Sequence, residues 1–118
     1  MKKLPMARLE LLQGTLDLII LQALVWGPRH GYGISQMIRT SSDELLRIET
    51  GSLYPALHRL ERKGWIKASW TTSDNNQRVK EYRLTAAGRK RLVEERSRWE
   101  QLSDAMTKLL RSPKGEQA

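Results

Sequence analysis

The sequence contains no cysteine. Disulfide frameworks, thiolate catalysis and cysteine-based zinc sites are therefore excluded, as is usual for a chain that stays in the cytoplasm. Of the two histidines, His58 has Glu61 three residues further on, but no other ligand follows at metal-binding spacing. Neither a Ser/His/Asp order nor a phosphate-cradling glycine loop is present. The sequence therefore predicts a protein that is not an enzyme and that uses no metal or cofactor.

Long apolar runs are also missing. The longest, "LDLIILQALVW", is interrupted by Asp17 and Gln22 and is too short to span a bilayer. Two lysines near the start resemble the beginning of a signal peptide, but charged residues follow them and there is no small-residue cleavage site. We expect a soluble, cytoplasmic protein without a membrane partner.

Acidic residues are in short supply. The 118 residues include 21 Lys and Arg but only 13 Asp and Glu, so the net charge is +8. A single domain with this excess usually meets a polyanion, with nucleic acid first and an anionic membrane surface second. The alternative, that the charge only keeps a small protein soluble, has to be decided by where the charges lie.

The apolar spacing predicts three helices in the first half of the chain. In the first helix an apolar face carries six residues: Leu12, Leu16, Ile19, Ile20, Ala23 and Leu24. Gly27-Pro28 ends this helix, and "HGYGISQMIRT" starts the second. The third runs through "GSLYPALHRLERK" and stops at Gly64, a residue suited to a left-handed helix cap.

In the second half of the chain, the sequence predicts a β-hairpin and a long helix. Two runs rich in strand formers, "WIKASWT" and "RVKEYRLT", flank the turn "TSDNNQ", in which Asn75-Asn76 tolerate positive φ. Thr85 then caps a helix that extends to about Arg111. The fold class is mainly α with a β-hairpin: a winged helix-turn-helix domain over residues 9–85, a dimerisation helix over 86–111 and a frayed tail over 112–118. A generic helical bundle is the alternative.

The third helix has the composition of a DNA-reading helix. Leu53, Leu57 and Leu60 define its buried side. In a helix-turn-helix the start of such a helix enters the major groove, so it needs slim residues first and reaching polar side chains one turn later. The predicted DNA-binding residues of this helix are Thr50, Gly51, Ser52, Tyr54, Pro55, His58, Arg59 and Arg62.

Pro55 sits among the apolar residues of this helix. It costs little if Ser52 is the N-cap, but it removes one backbone hydrogen bond if Thr50 is the N-cap. Its flat ring could lie against a thymine methyl or a sugar, or it could only sharpen the start of the helix. Tyr54 could donate its hydroxyl to a phosphate, or it could pack on the second helix with its tip in water.

The predicted hairpin is basic. Arg78, Lys80 and Arg83 lie on its second strand and Lys67 on its first. In a wing, such residues reach phosphates or the minor groove, and we assign this role to Arg78 and Lys80. The alternative is a charged edge that prevents aggregation. The hairpin's tryptophans are interpreted as packing residues without a direct role in DNA binding.

The last helix carries an a/d pattern that suggests a dimer interface. Its residues are Leu92, Trp99, Leu102, Met106 and Leu109, with one polar break at Glu95. The stripe could instead pack back onto its own domain. Because the preceding helices already have enough leucine to close a core, we favour a homodimer that presents two reading helices to a pseudo-palindrome.

The segments "LLQGTLDLIILQAL", "HGYGISQMI", "GSLYPALHRLERKGWI" and "YRLTAAGRKRL" resemble, in that order, the PadR family of bacterial transcriptional regulators. The resemblance covers residues 9–110 and is nearest to a small subgroup, common in acidobacteria, with a single C-terminal helix. It implies a dimeric winged-helix repressor of operator DNA. Some members of the family respond to aromatic small molecules such as phenolic compounds or drugs.

The resemblance also implies roles for single residues. Tyr32 and Tyr54 match positions that tend to meet the DNA backbone, and Trp99 matches a place near the dimer axis where some members hold flat aromatic effectors. For Trp99 the alternative is plain interface packing. The tip of the hairpin, "SDNNQRV", lacks the glycine that many relatives carry. Other function classes left open are a nucleic-acid architectural or RNA-binding module, a protein–protein adaptor and a basic membrane-surface helix.

Overall fold

The computed structural model describes residues 13–111. In chain order the elements are α1 (Gln13–Ala23), β1 (Arg29–His30), α2 (Gly31–Ser41), α3 (Thr50–Arg62), β2 (Ile66–Thr72), β3 (Arg78–Leu84) and α4 (Ala86–Leu110). The predicted order of three helices, hairpin and helix is confirmed. Leu12, the start of the predicted domain at residues 9–12 and the predicted tail at 112–118 lie outside the described residues.

One core joins all of the helices to the base of the hairpin. Ile20, Leu21 and Leu24 of the α1 region are fully buried, and the predicted inward leucines of α3 are buried with them. Tyr82 from β3 and Leu92 from α4 complete the core. Burying this apolar surface is the main force that holds the short helices together. None of the described helices combines the length and the apolar character that a bilayer crossing requires.

The sheet has three strands in the order β1-β3-β2, all antiparallel. The hairpin was predicted; β1 was not, because a two-residue strand carries no alternating pattern. Ser73 and Gln77 close the turn, and Asn76 adopts φ 64°, as expected for an asparagine in this turn. The hairpin thus projects from the helices as a wing, and β1 pairs only with the inner part of β3.

The two ends of α3 differ in how closely they follow the prediction. At its C-terminus Gly64 has φ 77°, and the Trp65 amide bonds to the Leu60 carbonyl in a Schellman motif. At its N-terminus the cap is Glu49, whose side chain makes no capping hydrogen bond. Both predicted caps, Ser52 and Thr50, are therefore wrong. Ile48 and Leu53 are buried in the core and fix where the chain turns into the helix, overriding the capping preference.

Helix α4 begins as predicted. Thr85 accepts a hydrogen bond from the Gly88 amide at 3.0 Å. Its hydroxyl also donates to the Gly64 carbonyl at 2.6 Å, which joins the start of α4 to the end of α3. The first part of α4 lies on α1, and the rest of the helix extends beyond the other elements, so the molecule measures 64 × 33 × 22 Å.

Candidate nucleic-acid interface

The outer face of α3 is exposed along its length. The predicted reading residues that lie on this surface are Thr50, Gly51, Ser52, Pro55, His58 and Arg62. Pro55 is the sixth helical residue, so it removes the backbone bond that residue 55 would otherwise donate to the Gly51 carbonyl. Since Gly51 is exposed, its carbonyl can accept a hydrogen bond from water or a ligand instead.

Arg59 is not on this face, and its predicted place there is wrong. Its guanidinium forms an ion pair with Asp17 of α1, and both side chains are largely withdrawn from solvent. The Arg59 Nε is buried without a hydrogen-bond partner in the described structure. A polar group that is buried in a fold needs a hydrogen-bonding partner, and Arg59 supplies one to the Asp17 carboxylate. Arg59 therefore fixes α3 against α1 rather than facing outwards.

Two tyrosines lie where α3 meets the start of α2. The Tyr54 ring rests on Gly31, where a Cβ would overlap the phenol, so a larger residue at position 31 would displace the ring. Tyr54 is about 39% exposed, which combines packing on α2 with partial access to solvent. Tyr32 is exposed, and its ring stacks 6.4 Å from that of His30. His30 also caps α2, because its Nδ1 accepts a hydrogen bond from the Gly33 amide at 3.0 Å.

One face of the wing is continuous with the core. Residues of β3 alternate, so Arg78, Lys80 and Tyr82 share a face, and Trp70 of β2 lies opposite Lys80 on that same face. At the base, Tyr82 is buried and burial raises its phenol pKa, with the Glu61 carboxylate and Tyr54 raising it further. Toward the tip the same face emerges into solvent.

Lys80 connects the wing to α3. Its Nζ lies 3.8 Å from a carboxylate oxygen of Glu61 and 5.7 Å from the centre of the Tyr82 ring. Both partners of this ion pair are about one-third exposed, so it is a surface pair worth at most about 1 kcal/mol. Lys80 therefore contributes to the angle between wing and helix as well as to the positive surface.

A cleft of about 640 Å³ runs between α3, the start of α2 and the inner face of the wing. It brings together five of the predicted residues: Tyr32, Tyr54, His58, Arg78 and Lys80. None of the residues that line it is acidic. Apart from Arg59, the predicted residues that it does not include lie on the exposed outer surface of α3: Thr50, Gly51, Ser52, Pro55 and Arg62.

The sequence interpretation missed Trp70. Trp65 packs against the core as expected, but Trp70 is 60% exposed and lines the cleft. Its position two residue pairs from Arg78 follows from the placement of the turn. Strand-forming residues alone, however, do not predict how far a hairpin extends from the core. Within residues 13–111 no three His, Asp or Glu side chains are grouped closely enough to hold a metal ion.

Away from the cleft, the predicted interface residues of α4 divide into two groups. Leu92 is 5% exposed and belongs to the core of its own chain, so its predicted place in a dimer interface is wrong. Glu95 is also buried, with Arg91 and Arg98 on its carboxylate at 2.8 and 3.3 Å. The remaining residues, Trp99, Leu102, Met106 and Leu109, are exposed in the single chain.

Trp99 lies at the junction of two grooves. One, of about 370 Å³, lies between α1, α2 and α4 and is lined mainly by apolar side chains, including Ile19, Trp26 and Met37. The other, of about 340 Å³, lies between the start of α1 and α4. The stripe predicted from spacing therefore borders open apolar surface in the single chain.

Comparison with known proteins bears directly on this arrangement. The sequence model of the "Transcriptional regulator PadR-like family" matches residues 20–94, which span α1 to α4. The chain belongs to the PadR-like family. As a PadR-like protein it is a transcriptional regulator rather than an enzyme, and its fold is a winged helix-turn-helix with a C-terminal helix, as predicted.

Individual relatives agree with the family assignment. A transcriptional regulator from Clostridium thermocellum is 35% identical, with a TM-score of 0.76 over 84% of this chain and 96% of that one. A PadR family transcription regulator from Clostridium difficile is 29% identical, with a TM-score of 0.71 over 80% and 97%. The transcriptional regulator Rv3488 of Mycobacterium tuberculosis is 37% identical over 64% of this chain and 56% of its own length.

Proposed function

We propose that this PadR-like regulator is a cytoplasmic, dimeric repressor that binds a pseudo-palindromic operator in double-stranded DNA. The observation that carries the proposal is the cleft between α3 and the wing, which gathers tyrosine, histidine, arginine and lysine side chains and no acidic residue. A surface of this kind complements a phosphate backbone. Beside it, the exposed start of α3 has the slim residues that close approach to base edges requires.

Each part of the surface has its own task in this proposal. The outer face of α3 enters the major groove, where His58 and Arg62 read base edges. Tyr32 of α2 and Tyr54 of α3 donate to phosphates. Arg78 and Lys80 follow the backbone from the wing. Arg59 is not assigned a role in reading base edges, because its guanidinium is paired with Asp17.

The dimer rests on the exposed part of α4. Single exposed apolar residues are ordinary, but Trp99, Leu102, Met106 and Leu109 form one stripe on a helix that extends beyond its own domain. A second copy that places its α4 along this stripe and the groove beside α1 would cover both apolar surfaces at once. The same contact relates two reading helices by a two-fold axis.

Effector control is a further part of the proposal. Trp99 borders both grooves, and a flat aromatic molecule stacked on its ring would lie between the two copies. Titration of phenolic compounds and flat aromatic drugs, monitored by tryptophan emission in the wild type and in Trp99→Phe, tests this role. Plain interface packing predicts no saturable change.

The test of DNA binding begins with selection of duplexes from a random-sequence pool by the purified protein. Enriched and scrambled duplexes are then compared by fluorescence anisotropy at two salt concentrations. Sequence-specific binding predicts a preference of about a thousandfold or more and a steep salt dependence. Equal, weak binding to every duplex would instead favour an architectural nucleic-acid module, and no binding at low salt would favour a protein–protein adaptor.

Substitutions on α3 distinguish the recognition of base edges from non-specific binding to DNA. Arg62→Ala and His58→Ala should each cost about 1–3 kcal/mol on the enriched duplex if the side chain reads a base edge. They should leave the weak binding to scrambled DNA nearly unchanged. Lys67→Ala, on the outer side of the wing, is the control for the loss of a single surface charge.

A further inference from the structure

The wing carries an exposed tryptophan in an unusual setting. Trp70 is 60% exposed, yet it lies on the face of the wing that leads down to buried Tyr82. The outer face of the same hairpin, with Lys67, Ser69 and Arg83, is polar. An indole ring placed on the inner side, beyond the edge of the core, contributes little to folding and is presented to the cleft.

Trp70 is in contact with Arg78. The two residues are diagonal neighbours across the hairpin, because Trp70 pairs with Lys80 and Arg78 precedes Lys80 by two residues on the same face. The Arg78 guanidinium carbon lies 4.9 Å from the centre of the indole ring, within cation–π range. Stacking on an aromatic face leaves the in-plane N–H donors of an arginine free.

No carboxylate competes for these donors. Among the ion pairs formed within residues 13–111, five arginines have acidic partners, namely Arg39, Arg47, Arg59, Arg91 and Arg98, whereas Arg78 has none. The wing therefore keeps one arginine both unneutralised and held in place. The side chain that holds it, Trp70, lines the same cleft as Tyr54 and His58, so both groups face the side on which DNA is proposed to lie.

From this geometry we infer that Trp70 and Arg78 act as one DNA-contacting unit of the wing, in which the indole ring supports the guanidinium and itself lies against the sugar-phosphate backbone. Trp70 is a positioning residue for Arg78, and its free edge contacts deoxyribose. The inference rests on the proposed function. It assigns the wing's affinity to a pair rather than to independent surface charges.

Coupling between the two residues is the first consequence. Supporting a guanidinium on an aromatic ring is worth about twofold to thirtyfold in affinity, depending on how far water is excluded. Trp70→Ala should weaken binding to a selected duplex by a factor in this range. Arg78→Ala should cost clearly less in a Trp70→Ala background than in the wild type, because the supported position is already lost.

The experiment measures anisotropy binding curves for the wild type, Trp70→Ala, Trp70→Phe, Arg78→Ala and the double variant on one selected duplex at several salt concentrations. Trp70→Phe keeps an aromatic face and should recover most of the affinity. Arg83→Ala removes an arginine from the outer side of the same strand and is the matched control. Thermal unfolding of every variant checks that the hairpin is intact.

Tryptophan emission gives a readout that a purely structural role would not produce. DNA should quench the wild-type signal, and the part of the quench that disappears in Trp70→Phe reports contact at the wing. A quench of equal size in both proteins, together with wild-type affinity of Trp70→Ala, would overturn the inference. The inference would also be overturned if the two substitutions reduced DNA affinity by factors that simply multiply in the double variant. That result would show that Trp70 and Arg78 act independently.

Failure of the inference is distinguishable from failure of the proposed function. If the wild type selects no sequence and binds no duplex, both the inference and the proposed function are wrong. If the wild type binds selectively while Trp70→Ala binds equally well, DNA binding stands and only the role of Trp70 is wrong. Loss of self-association by Trp70→Ala in light scattering, with DNA affinity per dimer unchanged, would place Trp70 in a contact between copies and would likewise reject the inference.

Discussion

The two parts of α4 have opposite environments although one apolar pattern runs through both. Over residues 86–96, Gly88, Leu92 and Glu95 are buried against the rest of the chain. Over residues 97–110 no side chain is buried, and the apolar stripe continues into solvent. The first part belongs to what we call the body, residues 13–96, and the second part is the overhang, residues 97–110.

The difference between body and overhang shows what a heptad pattern does and does not contain. Spacing identifies which residues share a helical face, but it does not name the surface that covers them. In the body the covering surface is α1 and the Trp65 segment, where a Cβ on Gly88 would overlap the Trp65 carbonyl. In the overhang we propose that a second copy supplies this surface.

The strongest way to break the body is to remove Asp17. Asp17→Ala leaves the Arg59 guanidinium without its partner in a partly buried site, which should lower the free energy of unfolding by about 3–5 kcal/mol. Urea unfolding followed by circular dichroism measures the loss. The double variant Asp17→Ala, Arg59→Met should recover a large part of it, since no charge is then stranded. A loss below about 1 kcal/mol would show that the pair is effectively solvated.

Matched leucine truncations sharpen the comparison between the two parts of α4. Leu92→Ala opens a cavity in the core and should cost about 2–5 kcal/mol of unfolding free energy. Leu102→Ala removes the same atoms from an exposed site and should cost less than about 0.5 kcal/mol in the dissociated chain. Both are measured at low protein concentration, where self-association does not contribute. Equal costs would contradict the division between body and overhang.

A charged residue introduced on the overhang tests whether a second copy covers this surface. Met106→Glu should weaken self-association by at least about tenfold, because the carboxylate would be buried unpaired between two copies. The unfolding of the dissociated chain should not change, since Met106 is exposed there. Sedimentation equilibrium gives the association constant, and Gln101→Glu, on another side of the overhang, is the control. A dimer indifferent to Met106→Glu would mean that the stripe lies outside the interface.

The smallest expected effect concerns pH and the body alone. The pKa of Tyr82 is raised above 10.0, so the folded chain holds this proton more tightly than the unfolded chain does. The stabilisation is complete below pH 10 and is lost as the pH rises through the folded pKa. Thermal melts between pH 9 and 11 should show a decline that Tyr82→Phe reduces. An identical decline in both proteins would assign it to other groups.

Local patterns predicted most of the fold because they act over short distances. Apolar periodicity placed the helices, Thr85 and Gly64 marked two helix ends, and the asparagine-rich turn placed the hairpin. What failed depended on partners distant in the chain. Arg59 lies on the flank of α3, and it turns inwards only because Asp17, 42 residues earlier, is buried beside it. Spacing within one helix does not contain that contact.

The candidate site was predictable to a similar degree. The exposed side of α3 follows from its buried leucines, and the charge of the wing follows from composition. Which wing residues face α3 depends on the register of β2 against β3 and on the angle at which the hairpin leaves the core. The sequence alone therefore predicts a packing role for Trp70, because an indole ring offers a large apolar surface.

The double role of Thr85 has a geometric consequence for operator recognition. Its hydroxyl joins the end of α3 to the start of α4, so no flexible linker separates the reading helix from the overhang. In the proposed dimer the length of the rigid helix α4 then sets the distance between the two reading helices, and so between the half-sites. A single residue inserted into α4 before the overhang would rotate the stripe by about 100° and shift it by about 1.5 Å. If the proposed dimer forms, the length of α4 thus encodes the spacing of the operator.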